Sequence, residues 1–482
     1  MSDTVDMKKE FEHIEKVRVD ASIDVRSKRQ KLDEQYFTPK FVTNYIAEHL
    51  VHVSRESHFI LDVAAGVGNI GAAVALALLH KKGANAKIDL KAVEIDTDLC
   101  DKCKVLFNAI FSRESISYEI IESDFFDFFK KVISESSKYT TIVMNPPYAK
   151  LLRKDFSLSG LDKYGIEYSP NLYSLMMSCS LDLLHDEGEL IAIVPRSFCS
   201  GPLFLNFRKK INREFRISFI HLFESRTKVF SFDGVQQETI IIKLHKKNND
   251  NCKTTVSYGD DFEQAHVTLV EHNKIIFPGD INCIIHVPHN AEDEVLLNKM
   301  HSFGDSLESL GLKVSTGKVV DFRTKEFLSQ EPQNNGWLFC KENLESDMFI
   351  FAKKNFRNFI MINSSTIGKF LDEQCHVIIN RIFFKERKKA IVAHVIDLTN
   401  PLSKKIAVEN HLNYISGTGN TKLEYYFALG VKYYLESDLV SDYIRRFIGS
   451  TQINAADIKS LPFPSRQQLT DIGKNGEFKY DE

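Results

Sequence analysis

The stretch Phe59-Ile-Leu-Asp-Val-Ala-Ala-Gly-Val-Gly-Asn69 decides the fold class. It begins as a short apolar run, which is typical of a buried strand. Gly66 and Gly68 follow, and glycine lets the backbone approach a ligand closely because it carries no Cβ. Gly71 completes the G-x-G-x-x-G spacing of dinucleotide-binding folds, and residues 69–82 have the alanine and leucine content of a helix. The stretch predicts a strand, a turn and a helix, and the turn is either a ligand site or a plain connection.

Strand and helix patterns continue to alternate along the chain after this stretch. Apolar strand patterns recur at residues 89–96, 116–126, 138–148 and 189–198, and helical patterns separate them. Such alternation predicts an α/β domain, in which helices cover both faces of a mostly parallel sheet. Ligands of these folds bind at the carboxyl ends of the strands, so residues that follow strands are the candidates for a site.

The domain boundaries follow from where the alternation stops. It fades after about residue 245, and the polar segment 243–255 is the best candidate for a linker. The residues beyond it mix short strands and helices without a clear period. We therefore expect a helical lead-in at 1–30, the α/β domain at 31–245, a mixed α+β domain at 250–465 and a C-terminal tail at 466–482.

Two carboxylates and an aromatic ring follow the second and third strands. Glu94 ends the second strand, where an acid can accept hydrogen bonds from both hydroxyls of a ribose. Asp124 and Phe125 end the third strand, and they suit an adenine, because the acid can accept from its amino group and the ring can pack on the base. NAD and S-adenosylmethionine both contain these groups, so a NAD-dependent dehydrogenase remains a rival at this point.

The motif Asn145-Pro-Pro-Tyr148 at the end of the fourth strand discriminates between these cofactors. Pro146 and Pro147 stiffen the loop and remove two backbone donors. An exocyclic amino group has two hydrogens, of which the Asn145 side-chain oxygen can accept one and the Pro146 carbonyl the other. The nitrogen lone pair can then attack a methyl group, while Tyr148 stacks on the base that carries the amine. A dehydrogenase gives no reason for such a loop.

The order of these motifs resembles that of a known enzyme family. Leu32-Asp-Glu-Gln-Tyr-Phe-Thr-Pro39 precedes the glycine turn, Asn145-Pro-Pro-Tyr148 follows it, and a second domain comes last. This order is similar to that of gamma-class N6-adenine-specific DNA methyltransferases of type II restriction-modification systems, PstI/HincII-like enzymes with an Eco57I-type methylase domain. Asn410–Tyr414 and Gly449–Pro464 also resemble these enzymes, so the resemblance covers nearly the whole chain.

The resemblance implies a fold and a set of site residues. The fold is an S-adenosylmethionine-dependent (class I, Rossmann-like) methyltransferase domain at 31–245, with a DNA target-recognition domain at 250–465. The methionine part of the cofactor would lie along the N-terminal element and the glycine turn. The residues expected to bind the cofactor are Thr38, Pro39, Asp62, Ala64, Gly66, Gly68, Glu94, Asp124, Phe125 and Asn145. The residues expected at the amine are Asn145, Pro146, Pro147, Tyr148 and Phe230, with Phe232 as the alternative to Phe230.

The resemblance also implies a reaction and its partners. The expected reaction transfers a methyl group from S-adenosylmethionine to N6 of an adenine that is flipped out of duplex DNA, at a cost of roughly a few kcal/mol. No metal is expected, because the sulfonium is already a good leaving group. Double-stranded DNA and a separately encoded restriction endonuclease are the expected partners. The alternative is an Asn-Pro-Pro-Tyr amino-methyltransferase that acts on RNA or on a protein glutamine.

The overall charge does not by itself indicate a polyanionic substrate. Lys and Arg number 62 and Asp and Glu number 65, which gives a net charge of −3 and excludes a polycationic nucleic-acid coat. The basic residues are bunched instead, and we expect the bunches to line one cleft between the domains. These clusters are Arg26–Lys31, Arg208–Arg216, Lys353–Arg357 and Lys385–Lys389.

The apolar runs, the N-terminus and the cysteines predict a cytoplasmic protein, associated with the nucleoid when it is bound to DNA. No apolar run reaches the roughly 18 residues of a transmembrane helix, and the charged N-terminus lacks the apolar core of a signal peptide. The cysteines are scattered, as is typical of a reducing compartment. Cys100 and Cys103 form an isolated C-x-x-C, which we interpret as ordinary helix residues.

Overall fold

The computed structural model describes most of the chain as two compact units, residues 1–289 and 290–482. The described residues are 2–28, 37–52, 56–82, 86–111, 116–135, 138–224, 238–246, 253–288, 290–331, 333, 335–344, 358–381, 389–400, 405–419, 421–448 and 453–478. No helix in these ranges is both long and apolar enough to cross a membrane.

A large sheet with helices packed against it builds the N-terminal unit. Its strands are β1 (Ser57–Val63), β2 (Lys87–Glu94), β3 (Ile116–Glu122), β4 (Tyr139–Met144), β5 (Leu184–Pro195), β6 (Phe215–Leu222), β7 (Thr239–Lys246), β8 (Lys253–Tyr258) and β9 (His266–Glu271). Its helices are α1 (Ser2–Lys28), α2 (Lys40–Tyr45), α3 (Asn69–Lys82), α4 (Thr97–Phe111), α5 (Phe125–Ser134), α6 (Arg153–Ser159), α7 (Leu172–Asp182), α8 (Leu205–Glu214) and α9 (His272–Ile275).

The strand order confirms the predicted α/β fold. Within the described residues the sheet has nine strands in the order β3-β2-β1-β4-β5-β7-β6-β8-β9. The strands β1 to β5 pair in parallel, and β7 lies antiparallel between β5 and β6. This arrangement is that of a class I methyltransferase domain, as the resemblance implied.

The N-terminal unit continues beyond the boundary that the sequence predicted at 245–250. The strand β8 pairs in parallel with β6, and β9 pairs antiparallel with β8, so both belong to the same sheet. The polar segment 243–255 misled the prediction because it includes the end of β7 and the start of β8. The division between the units lies at 289/290 instead.

The register of the central strands positions the site. Val63 at the end of β1 pairs with Val93 of β2 on one side and with Met144 of β4 on the other. All six residues of β4 are buried, because helices cover both faces of the sheet here. The residues that directly follow these strand ends therefore meet at one edge of the sheet.

The helix α3 follows the glycine turn and lies in the core. Its residues from Asn69 to Leu79 are all buried, which its many alanines make possible because small side chains allow close packing on every side. The helix α1 packs against α3, with Phe11 and Ile14 buried and the Glu10 carboxylate 3.3 Å from His80 Nε2.

Two small sheets and a layer of helices form the C-terminal unit, which confirms the predicted mixed α+β character. Its strands are β10 (Leu312–Thr316), β11 (Leu328–Ser329), β12 (Asn335–Phe339), β13 (Phe359–Met361), β14 (Cys375–Asn380), β15 (Ala393–Asp397), β16 (Ile406–Val408) and β17 (Leu412–Gly417). Its helices are α10 (Ala291–His301), α11 (Asp321–Thr324), α12 (Tyr425–Leu435), α13 (Asp438–Tyr443), α14 (Ala455–Lys459) and α15 (Arg466–Asn475).

The described strands of this unit pair in the orders β10-β17-β14-β15 and β11-β13-β12-β16. The segment predicted as a tail, residues 466–482, contains α15, which packs against α12 and buries Leu469. It therefore belongs to the unit as far as the structure describes it, because its apolar face has a partner helix.

Cys100 and Cys103 lie buried on α4, as ordinary helix residues do. Burial raises the pKa of the Cys100 thiol to about 11, and it raises the pKa of the Cys103 thiol even further. A thiol with a raised pKa is a poor nucleophile at neutral pH, so neither residue is suited to redox chemistry. The Cys103 side chain instead packs against the glycine turn.

A substitution of Gly68 tests how tightly the glycine turn packs on α4. Its φ is +77°, and a Cβ there would lie 2.6 Å from Cys103 Sγ and from Phe107 Cε1. We expect Gly68→Ala to lower the free energy of unfolding by about 2–4 kcal/mol, from backbone strain and overpacking together. The matched control is Gly160→Ala, with a φ of +69° and no heavy atom within 4 Å, which should cost only about 1–2 kcal/mol. Urea denaturation measures the free energy of unfolding of both variants. Equal losses of stability would contradict the tight packing of Gly68 against α4.

Candidate active site

A cavity of about 710 Å³ lies where the central strands end. The structure brings most of the predicted site residues to its wall. These are Thr38, Ala64, Gly66, Glu94, Asp124, Phe125, Asn145 and Pro147. The other predicted residues that the structure describes do not line the cavity, and these are Pro39, Asp62, Gly68, Pro146 and Tyr148.

The loop after β1 turns its backbone along the cavity. Ala64, Gly66 and Gly68 all have positive φ, at 55°, 58° and 77°. The left-handed conformation costs a residue with a Cβ, here Ala64, about 1–2 kcal/mol. Strain of this kind concentrates at ligand-binding sites. The ring of Phe37 packs against the loop, since a Cβ on Gly66 would lie 3.3 Å from Phe37 Cε1.

Glu94 links the ends of β1 and β2. Its Oε2 accepts a hydrogen bond from the Gly66 N–H at 2.8 Å, and its Oε1 accepts from the N–H groups of Ile95 and Asp96 at 3.0 Å each. Burial raises the pKa of this carboxyl, while the three backbone hydrogen bonds lower it. A carboxylate accepts about four hydrogen bonds, and backbone N–H groups of the described residues already supply three of them. Glu94 can therefore accept from about one ribose hydroxyl, whereas the sequence suggested two.

Asp62 lies beneath the cavity instead of on its wall, which corrects the expectation that it contacts the cofactor directly. It is 1% exposed, and its Oδ2 accepts from the Gly71 N–H at 2.9 Å in the first turn of α3. Burial raises the pKa of Asp62 from 3.8 to about 8, with a smaller contribution from the charge of Glu94. The carboxyl therefore holds the glycine turn onto α3 mainly in its neutral form.

Asp124 and Phe125 form the wall of the cavity below β3. Asp124 is the N-cap of α5, because its Oδ1 accepts from the N–H groups of Phe126 and Asp127 at 2.8 and 3.3 Å. Its Oδ2 takes no hydrogen bond in the described part of the chain and can accept from a ligand. Phe125 is 5% exposed, and both it and Phe126 line the cavity with their rings close together.

Asn145 lies on the cavity wall directly after β4, and neighbours hold both ends of its amide. Its Nδ2 donates to Thr38 Oγ1 at 3.0 Å, and its Oδ1 accepts from the Tyr148 hydroxyl at 3.2 Å. The N-terminal element and the Asn-Pro-Pro-Tyr motif are 107 residues apart in the chain at this contact. Their meeting brings the residues that the sequence predicted for the cofactor and for the amine around one cavity.

Tyr148 lies behind Asn145 and not on the cavity wall. It is 3% exposed, its hydroxyl is also 3.4 Å from the Ile193 carbonyl, and its ring meets Tyr173 edge to face. The ring thus has no face open to a base in this structure, so the expected stacking requires its surroundings to open.

Comparisons with known proteins agree with this geometry. Residues 46–230 match the family described as Eco57I restriction-modification methylase. The chain is 35% identical over 436 residues to Type II methyltransferase M.PstI of Providencia stuartii, and the match covers 87% of this chain and 85% of that one. The chain belongs to the type II methyltransferase family. It is also 33% identical over 451 residues to Type II methyltransferase M.BsuBI of Bacillus subtilis, with 91% and 89% covered.

A solved structure supports the fold of the methyltransferase over nearly its whole length. A nuclease-deletion mutant of the Type ISP restriction-modification enzyme LlaGI, in complex with a DNA substrate mimic, superposes with a TM-score of 0.51. The similarity covers 94% of this chain and 55% of that chain, at 13% sequence identity. At this identity the likeness concerns the fold alone.

Some predicted residues of the methyltransferase lie outside the described residues. Phe230 and its alternative Phe232 are among them, as are Gln35 and Tyr36 of the N-terminal element. The basic clusters Lys353–Arg357 and 385–388 are also outside. The second stacking aromatic therefore stays a prediction.

Arg208 and Arg216 of the basic cluster Arg208–Arg216 are buried in the methyltransferase, which corrects the expectation that the whole cluster lines a DNA cleft. Lys209 and Arg213 of the same cluster are exposed. Arg208 is 1% exposed, and its guanidinium donates to the backbone carbonyls of Phe198, Gly201 and Asn282. Arg216 is 4% exposed. A guanidinium buried in this way donates hydrogen bonds to carbonyl oxygens inside the fold and is not accessible to a phosphate.

The cavity also contains residues that the sequence analysis did not assign to it. Examples are Phe37, Asn69, Asp96, Phe126, Lys150 and Met176. Most of them directly follow predicted strands or adjoin predicted motifs, so proximity to a strand end would have suggested them. Met176 lies on α7, and no sequence pattern pointed to it.

The raised pKa of Asp62 predicts how the stability of the methyltransferase depends on pH. The folded state binds the Asp62 proton more tightly than the unfolded state, so this residue makes the free energy of unfolding fall as the pH rises from about 4 to about 8. We expect Asp62→Asn, which keeps an acceptor for Gly71, to weaken this dependence. Urea denaturation between pH 5 and pH 8 measures it, and an unchanged dependence would contradict the assignment.

Proposed function

We propose that this methyltransferase transfers the methyl group of S-adenosylmethionine to N6 of an adenine in duplex DNA, as the modification enzyme of a restriction-modification system. Its family acts in restriction-modification, and the acceptor base and atom are part of our proposal. The observation that carries the proposal is that Asn145 shares one cavity with Glu94 and Asp124.

The cofactor fits the part of the cavity between β1, β2 and β3. Glu94 Oε2 would accept from one ribose hydroxyl, since its other acceptor positions hold backbone N–H groups. Asp124 Oδ2 would accept from the adenine amino group, and Phe125 would pack on the ring. The methionine part would lie along Ala64 and Gly66, where the backbone turns past the cavity.

The acceptor amine fits at the end of β4. The Asn145 oxygen would accept one hydrogen of the amine. The Pro146 carbonyl, which does not line the cavity in this structure, would accept the other once the loop adjusts to the bound base. Both contacts push the nitrogen toward tetrahedral geometry, so that its lone pair can attack the methyl carbon. S-adenosylmethionine would supply the methyl group and leave as a neutral thioether, and the extra proton of the methylated amine would pass to water. The sulfonium is a good leaving group, so we propose that this step uses no metal.

Base flipping and stacking complete the proposal. The target atom is buried in the DNA stack, so the adenine must leave the duplex to reach Asn145. Tyr148 would stack on the flipped base once its ring becomes accessible, and Phe230 would cover the other face. We assign target recognition to the C-terminal unit, and we propose a separately encoded endonuclease as the biological partner.

An Asn-Pro-Pro-Tyr enzyme that acts on RNA or on a protein glutamine is not favoured. The two type II methyltransferases match 87% and 91% of this chain, including its C-terminal unit. An enzyme with a different macromolecular substrate would not be expected to share that unit.

Asn145→Ala tests the proposal. We expect methyl transfer to fall by about 100-fold or more, because the amine loses a contact that matters most in the transition state. Cofactor affinity should remain near that of the wild type. Labelled S-adenosylmethionine with unmethylated genomic DNA, RNA or protein as acceptor measures the transfer, and calorimetry measures the affinity.

Asn108→Ala is the matched control, because Asn108 is exposed on α4, does not line the cavity, and accepts a hydrogen bond from the Tyr118 hydroxyl. It should keep wild-type transfer. Label that enters RNA or protein but not DNA would overturn the proposed substrate, and wild-type transfer by Asn145→Ala would overturn the proposed role of the amide.

A further inference from the structure

Thr38 stands at the junction of the glycine turn and the Asn-Pro-Pro-Tyr motif. It is 2% exposed, and its hydroxyl and its carbonyl each accept a hydrogen bond from a side-chain amide. Its Oγ1 accepts from Asn145 Nδ2 at 3.0 Å, and its carbonyl accepts from Asn69 Nδ2 at 3.1 Å. Asn69, the first residue of α3, also lies 3.3 Å from Thr43 Oγ1. Thr38 therefore connects the start of α3 with the end of β4.

The Asn145 amide needs such a partner. Rotation about the last torsion of asparagine is soft, so an amide without fixed contacts samples many orientations. The proposed reaction requires the Oδ1 end, an acceptor, to face the amine, because the Nδ2 end has only hydrogens to offer it. Thr38 holds the Nδ2 end, while the Tyr148 hydroxyl contacts Oδ1.

We infer that Thr38 is a positioning residue for Asn145 and does not act chiefly as a cofactor ligand. This inference rests on the proposed function. The hydroxyl of Thr38 keeps the Asn145 oxygen aimed at the acceptor amine, and Asn69 keeps the backbone of Thr38 in place. One buried threonine thus fixes two parts of the site relative to each other. These parts are the glycine turn, which borders the proposed cofactor site, and the Asn145 amide, which binds the proposed acceptor.

Thr38→Val tests this role, because valine has nearly the same shape but cannot bind the Asn145 amide. We expect kcat for DNA methylation to fall by about tenfold or more, since small errors in orientation are costly in catalysis. The Kd for S-adenosylmethionine should change by less than about threefold. Thr38→Ser, which keeps the hydroxyl, should restore kcat to within about threefold of the wild type.

Thr254→Val is the matched control. Thr254 is a buried threonine of β8 whose hydroxyl donates to the Ile217 carbonyl, and it does not line the cavity, so kcat should stay near the wild-type value. Thermal unfolding of each variant shows whether it folds. A loss of kcat in Thr38→Val that serine restores, at an unchanged unfolding temperature, cannot come from general destabilisation.

The outcomes separate this inference from the proposed function. Wild-type enzyme that does not methylate DNA would overturn the proposed function and, with it, the inferred role. If the wild type methylates DNA, an unchanged kcat in Thr38→Val would overturn the role of Thr38 alone. Weaker binding of S-adenosylmethionine with an unchanged kcat would instead make Thr38 a cofactor ligand.

Discussion

The Glu94 carboxylate is the contact on which the geometry of the cavity depends. It accepts three backbone N–H groups, one from the loop after β1 and two from the residues that follow β2. Removing it would leave these donors unsatisfied in a buried place and would release the glycine turn from β2. The same carboxylate lies on the cavity wall, so one side chain both builds the turn and presents an acceptor to a ligand.

The site could be predicted from the sequence to the extent that parallel strands align their carboxyl ends. Val63 pairs with both Val93 and Met144, so any residue that follows these strands reaches the same edge. This rule places Glu94 and Asn145 together without knowledge of a single side-chain contact. The family resemblance predicted that the N-terminal element also belongs to the site. The hydrogen bond between Thr38 and Asn145 shows how this distant segment reaches it.

The remaining features depend on packing that sequence patterns do not report. Asp62 and Tyr148 have the residue types of a site, yet both are buried behind it and hold other residues in place. Arg208 looks like a phosphate ligand in the sequence, but its partners are three carbonyl groups, two from residues 198–201 and one from Asn282. The domain prediction wrongly placed the strands β8 and β9 in the second domain, because a polar connection can join two strands of one sheet as easily as two domains.

We propose that the cavity delivers a methyl group to the amino nitrogen of adenine in DNA. Mass spectrometry of nucleosides tests it most directly, after the purified protein has acted on unmethylated genomic DNA with S-adenosylmethionine that carries a deuterated methyl group. We expect the heavy methyl group to appear on N6-methyladenine. Heavy label on a cytosine, or no labelled nucleoside at all, would contradict it.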